Sequence, residues 1–271
     1  MKIAGIQFAC VSDKDKNVEK ALRILDVALE EGARIVCFQE LFSTYWFPKG
    51  RDEKAFSLAD DLTSSVVSVM QKKAAEAEIV LILPLFEKDG SKYYNSAIVI
   101  DADGKIAGTY RKIHVPDIPL WEEKFYFSPG DLGFPVFQTR HGTIGVQISW
   151  DNLYPECARI LALKGANMIF APTSCAFKSQ GLWQTVVTGN AIANAVFIMR
   201  VNRVGSEAAH DFYGMSFCVG PEGELTGGPT GTSDGVLLAE ADLSYLSEVR
   251  REWPIMKERR PDLYHEVLQG V

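Results

Sequence analysis

The chain has 271 residues, and its 28 Lys and Arg against 35 Asp and Glu leave a formal charge of −7. The two signs are interspersed along its length, which argues against the clustered cationic surface that nucleic-acid binders and membrane-surface proteins depend on. With 47% hydrophobic and 23% charged residues it reads as a globular protein, and no apolar run approaches the roughly 18 residues of a membrane span.

The first ten residues, MKIAGIQFAC, read as a strand over Lys2–Cys10 rather than a signal peptide, so a cytoplasmic location is expected. A helix follows over Lys14–Glu31, with Val18, Ala21, Leu22, Leu25, Ala28 and Leu29 at helical spacing, and Gly32 stops it. Ile35–Phe38 is a wholly apolar strand of the kind buried on both faces. Thr63–Ala77 is a second helix. Ile79–Phe86 and Tyr93–Ile100 flank Lys88-Asp89-Gly90-Ser91, a hairpin signal, and Lys105–Arg111 adds another strand.

The second half repeats this order: strand Thr143–Ser149, helix Pro155–Lys164 ended by Gly165, strand Met168–Ala171, helix Trp183–Asn194 and strand Phe197–Val201. Met215–Gly220, a Pro221–Glu224 turn and the strand Val236–Ala241 are expected to repeat the earlier segment Tyr93–Tyr110. With no linker between the halves, residues 1–271 read as one α/β domain of two sheets packed face to face, helices outside. The tail from Arg250 to Val271 carries Trp253, Pro254 and Tyr264 and is expected to dock on a partner subunit.

Cofactor motifs are missing. There is no Gly-rich phosphate loop and no Cys-x-x-Cys, and His114, His141, His210 and His265 lack paired metal-ligand spacing, so neither a metal nor a cofactor is expected. The five cysteines, at 10, 37, 157, 175 and 218, are odd in number and mostly set in apolar runs, as reduced core residues are. Polar residues at the ends of apolar strands remain, where open α/β sheets commonly place ligands: Glu40 after Ile35–Gln39, Lys112 after Gly108–Arg111, and Ser149 after Ile144–Ile148.

The segments Phe38-Gln39-Glu40-Leu41-Phe42, Tyr110-Arg111-Lys112-Ile113-His114-Val115-Pro116-Asp117 and Gly145-Val146-Gln147-Ile148-Ser149-Trp150-Asp151 resemble those of the carbon–nitrogen hydrolase (nitrilase) family. The resemblance continues through Ala171-Pro172-Thr173, Val201–Gly205 and Phe212–Phe217, and so covers nearly the whole chain. Glu122–Phe127 and Pro129-Gly130-Asp131 look most like the branch of N-carbamoylputrescine amidases, near the β-ureidopropionases. The resemblance implies a four-layer α-β-β-α sandwich and a Glu-Lys-Cys mechanism. Glu40 takes the general-base position, Lys112 the position facing the tetrahedral intermediate, and Glu123 that of a second glutamate beside them; Glu122 is expected to point to solvent. The Trp150 amide, next to the nucleophile position, would supply a second oxyanion donor.

One position departs from the family pattern: Ser149 stands where the resemblance implies the nucleophilic cysteine. A hydroxyl is far less acidic than a thiol, so this chain is expected to be an inactive or impaired form. Either serine was introduced into a working enzyme to hold its substrate, or the protein is a natural non-catalytic relative that only binds ligand. A Ser-His-Asp hydrolase built on Ser149, with His114 or His210 and Asp151 or Asp211, is a rival, but Gln147–Asp151 lacks the glycines of a nucleophile elbow.

The substrate is expected to be a small N-carbamoyl amine, amide or nitrile, bound by residues of Ser43–Gly50, Asp117–Trp121 and Thr173–Trp183, with Tyr45, Trp121 and Thr173 as wall residues. Helix Pro155–Lys164, apolar on more than one face, is expected to pair with its copy in a homodimer or higher homo-oligomer.

Overall fold

The computed structural model describes residues 1–176, 179–207 and 209–269. Two six-stranded sheets form the centre. In the first half lie β1 (Lys2–Gln7), β2 (Ile35–Phe38), β3 (Val80–Asp89), β4 (Lys92–Ile100) and β5 (Ile106–Arg111), with β6 (Val136–Thr139) and β7 (Gly142–Val146) beginning the second. Then come β8 (Met168–Thr173), β9 (Phe197–Asn202), a separate hairpin β10 (Val204–Glu207) and β11 (His210–Tyr213), and β12 (Phe217–Val219), β13 (Leu225–Gly227) and β14 (Gly235–Glu240). The helices are α1 (Lys14–Glu30), α2 (Ser65–Ala77), the single turn α3 (Glu123–Tyr126), α4 (Pro155–Leu163), α5 (Gln180–Asn194) and α6 (Leu243–Glu252).

The sheet orders are β14-β1-β2-β3-β4-β5 and β13-β12-β9-β8-β7-β6. Each therefore has an antiparallel edge strand, three parallel strands and a closing antiparallel pair. The inner faces meet through Cys37, Ile82, Val99 and Tyr110 from one sheet and Val146, Phe170, Met199 and Val201 from the other. On the outer face of the first sheet, Ala21, Leu25 and Ala28 of α1 and Met70 and Ala74 of α2 cover Val36, Phe38 and Leu81. Ala158 and Leu161 of α4 and Val187 and Ala191 of α5 cover Ile169 and Ile198 on the second. The result is the expected α-β-β-α sandwich, in which both faces of each central strand are dry. That is why β2 and β8 are apolar at nearly every position.

Local chemistry sets the element ends. The Asp13 carboxylate caps α1 by accepting from the Asp15 and Lys16 amides, and Gly32 turns the chain out with φ +85°. The hairpin at Gly90-Ser91 forms as expected, with Asp89 opposite Lys92. One expectation is corrected. Val236–Ala241 does not close a hairpin on the second sheet; β14 crosses over and pairs antiparallel with β1, from Lys2 opposite Glu240 to Gln7 opposite Gly235. The hairpin partner of β12 is the short β13.

In the first sheet the C-terminal ends of β2 and β5 point the same way, because β2 runs parallel to β3 and β5 returns to that direction after β4; in the second β7 and β8 are parallel, and a Ser174–Glu40 hydrogen bond joins the end of β8 to the end of β2. Glu40, Lys112, Ser149 and Thr173 lie at those ends.

Candidate active site

Lys112 is the centre of a buried polar set. Its Nζ lies 3.1 Å from Glu40 Oε1 and 2.6 Å from Glu123 Oε2, and all three side chains are closed to solvent. Asn95 Nδ2 donates to Glu40 Oε1 at 2.8 Å. Glu40 Oε2 is buried and has no hydrogen-bond partner among the described residues. The carboxylate thus has one oxygen tied to neighbours and one uncommitted. Burial disfavours the Lys112 ammonium, but the carboxyls of Glu123 and Glu40 outweigh it and raise its pKa above the ordinary lysine value. Glu123 moves from 4.5 up to about 7: burial and the nearby Glu40 push it up against the pull of Lys112.

The backbone that carries Glu40 is held by a second buried charge. Arg203, fully buried, donates from Nη2 to the carbonyls of Glu40 and Leu41, both at 2.9 Å, and from Nη1 to Thr44 O and Glu207 Oε1. These bonds fix a turn in which Leu41 takes φ +52°, which a branched side chain rarely adopts. Ser174 Oγ also donates to Glu40 O, at 3.4 Å, and so joins the end of β2 to the end of β8.

Ser149 is buried and begins a 3-10 turn, Ser149–Leu153, directly after the β7 strand run. The Gln147 amide still donates to Phe170 O of β8, and two residues later the chain leaves the ladder at Ser149, beside the strand whose following residue Ser174 touches Glu40. Its φ is +47°. The serine occupies the left-handed region without the flanking glycines of a nucleophile elbow, a local strain that a functional site can hold. Asn152 secures the turn: its Nδ2 donates to Ser149 O at 2.8 Å, while its own Oδ1 and carbonyl accept from Gln147 and Asn190.

The wall residues divide. Trp121 packs on His210, ring centroids 4.2 Å apart, and on Trp46. Tyr45 lines a separate cleft of about 180 Å³ with Phe47, Lys49, Arg51, Asp52 and Tyr126. Thr173 is buried, and its hydroxyl donates to Ala171 O on its own strand. Trp150 is half-buried. In the expected wall segment Thr173–Trp183, Phe177 and Lys178 lie outside the described residues. Glu122 differs from expectation. It is not directed wholly to solvent: Oε1 accepts from the Leu120 amide at 3.2 Å, and Oε2 is buried with no hydrogen-bond partner among the described residues.

Sequence spacing did not bring out a second cluster, His114, Asp151 and Cys157, which lies within metal-ligating reach of itself. Both Asp151 oxygens are already hydrogen-bonded, and His114 Nδ1 faces Asp151 Oδ1 at 2.9 Å and Cys157 Sγ at 3.7 Å. A Cys-His-Asp relay needs thiol and carboxylate on opposite ring nitrogens. Here they share one, and burial with Asp151 nearby drives the Cys157 thiol far above its ordinary range. Burial likewise raises Cys10 to about 11 and Cys175 and Cys218 to about 12, so none of them is a ready thiolate. The His114–Asp151 contact fits the Ser-His-Asp rival in part, but among the described residues no hydrogen bond joins Ser149 Oγ to His114.

Residues 2–251 match the carbon–nitrogen hydrolase family, and the chain belongs to it. An N-carbamoylputrescine amidase from Solanum tuberosum is 41% identical over 98% of this chain and 94% of its own length. A citrullinase from Francisella tularensis is 36% identical over 99% of this chain and 98% of its own. The crystal structure of a carbon–nitrogen hydrolase from Helicobacter pylori G27 superposes with a TM-score of 0.94 at 37% identity, covering 99% of both chains. The chain is thus a carbon–nitrogen hydrolase with amidase-type relatives.

Proposed function

We propose that this chain carries the apparatus for hydrolysing a C–N bond of a small ureido compound through Glu40, Lys112 and position 149, with Glu123 in support, and that Ser149 leaves it impaired. The observation that carries the reading is the buried Glu40–Lys112–Glu123 set at the strand ends, with Glu40 Oε2 uncommitted and Ser149 at the neighbouring strand end. With a cysteine at 149, the thiol proton passes to Glu40 and sulfur attacks the carbonyl carbon. The resulting oxyanion faces the Lys112 ammonium and the Trp150 amide. Collapse expels ammonia or the amine, which takes the proton from Glu40, and the carbonyl carbon stays on sulfur with its other nitrogen as a thiocarbamate. Water then gives a proton to Glu40 and attacks the thiocarbamate carbon; collapse releases a carbamic acid, which loses carbon dioxide, and the departing sulfur takes the proton back from Glu40. A serine hydroxyl is much less acidic, and the first step suffers most.

The substrate class is supported by the relatives' names. Citrulline and N-carbamoylputrescine both end in a ureido group on a short aliphatic chain. The test is ammonia release by Ser149→Cys from N-carbamoylputrescine, citrulline, butyramide and a short aliphatic nitrile, beside the unaltered protein. Turnover of the ureido compounds by the variant alone is expected. Preference for the nitrile would favour a nitrilase, and a folded variant inert to the whole panel would favour a non-catalytic binder.

A further inference from the structure

Asp151 is fully buried two residues after Ser149, and its carboxylate binds on two sides. Oδ2 accepts from the Ile148 amide at 2.9 Å and from the Tyr110 hydroxyl at 2.7 Å; Oδ1 accepts from the His114 amide at 3.0 Å and meets His114 Nδ1 at 2.9 Å. Ile148 and Asp151 bracket Ser149, whereas Tyr110 and His114 bracket Lys112. One carboxylate therefore ties the turn at the end of one sheet to the segment leaving the other, with the two candidate reacting groups in the middle of the tied pieces. Burial, with Asp151 beside it, holds the Tyr110 hydroxyl far above its ordinary pKa, so it remains a donor. The His114 ring lies flat on Tyr154, centroids 3.6 Å apart, which fixes that side of the clamp.

We propose that Asp151 is a positioning residue that sets the distance between position 149 and Lys112, a role that rests on the reading of those two residues given above. Asparagine at 151 is nearly the same shape but cannot reproduce the bonds. Each carboxylate oxygen faces one backbone N–H, of Ile148 or of His114, and neither can turn away. An amide places its NH2 against one of them whichever way it is flipped, so one side of the clamp opens.

The test compares Ser149→Cys with Ser149→Cys/Asp151→Asn and Ser149→Cys/Tyr110→Phe. Steady-state ureido hydrolysis is measured with the rate of iodoacetamide alkylation at position 149, mapped by peptide mass spectrometry from pH 6 to 9. Position 149 is itself buried, 6% exposed against 8% for Cys10 and 6% for Cys175, so the peptide map rather than burial separates its labelling from that of the five native cysteines. The expected result for Asp151→Asn is a fall in kcat of about tenfold or more with KM within about twofold, and an altered pH profile of alkylation. Tyr110→Phe, which removes one of the bonds, gives a smaller change in the same direction and is the deciding variant if Asp151→Asn does not fold. An alkylation profile unchanged in the folded variants, with only the melting temperature lowered, would overturn the proposal. If Ser149→Cys turns over nothing, the functional reading fails, while the alkylation profiles still decide whether Asp151 positions residue 149.

Discussion

Three ionisable groups closed off from water can coexist only as a set. Removing the cation of such a set leaves carboxyls facing each other without compensation, at a cost of about 3–5 kcal/mol for a buried ion pair. Lys112→Met is therefore expected to lower urea stability at neutral pH on that scale, and adding Glu123→Gln to recover part of the loss. The raised Glu123 carboxyl makes a pH prediction. The folded protein keeps on Glu123 a proton that the unfolded chain releases from pH 4.5 upward, so its stabilising contribution is full below pH 4.5 and lost as pH rises through about 7. Urea titrations of the unaltered protein and of Glu123→Gln between pH 4.5 and 7.5 should show a decline in the first that is flatter in the second; parallel curves would contradict the assignment. At this scale the sequence was informative where a polar residue ended an apolar strand, as at Glu40 and Lys112. It offered Asp151 only as a resembling residue and a partner in a rival triad, carried Arg203 only within a resembling segment and was silent on Asn95; the importance of all three comes from partners as many as 163 residues away in the chain. No local spacing encodes those pairings.

Among the elements, the central strands and the four helices that cover the sheets were readable because their apolar patterns are continuous or helically spaced, and caps such as Asp13 and Gly32 mark where a helix begins and stops, whereas the single turn α3 and the peripheral α6 were not read. Four of the shortest strands were not. β6, β10, β11 and β13 are three or four residues long and mix polar residues or glycine with apolar ones, as in β11 with His210 and Asp211, so they lack the continuous apolar run that marks the equally short β2. β14 was recognised as a strand but assigned to the wrong sheet, since its partner β1 is more than 200 residues away and pairing register leaves no trace in a single sequence. Close approach of the sheets shows at Gly5 in β1. A Cβ there would lie 2.6 Å from Val201 Cγ2 of β9 on the facing sheet. Gly5→Ala should destabilise the fold by about 1–3 kcal/mol through overpacking, measured by thermal or urea unfolding, whereas Gly90→Ser at the open β3–β4 turn should cost less despite the turn's positive φ.

For the molecule as a whole, the segment after α6 stands out. Trp253 is 63% exposed, Val267 62% and Leu268 88%, in a chain whose other large apolar side chains are mostly covered. Leu163 at the end of α4 and Ile192 on α5 are also exposed and lie beside Trp253 in shallow apolar clefts. We expect this face to be covered by a second copy of the chain. Light scattering at micromolar concentration should give a dimer or a higher homo-oligomer, and removal of residues 253–271 should shift it toward monomer; an intact protein that stays monomeric would contradict the expectation. Among the described residues no helix is long and apolar enough to cross a membrane.

The central claim, that position 149 attacks the substrate with Glu40 as base and Lys112 facing the oxyanion, is tested most directly by trapping the covalent intermediate. Ser149→Cys is mixed with N-carbamoylputrescine, quenched in acid within milliseconds to seconds, digested and analysed by mass spectrometry, with Ser149→Cys/Glu40→Gln and the unaltered chain in parallel. An acyl adduct is expected on the peptide containing position 149 in Ser149→Cys, forming no more slowly than ammonia appears, and little or none in the other two. Ammonia release without any adduct at 149, or an adduct that forms equally well without the Glu40 carboxylate, would contradict it.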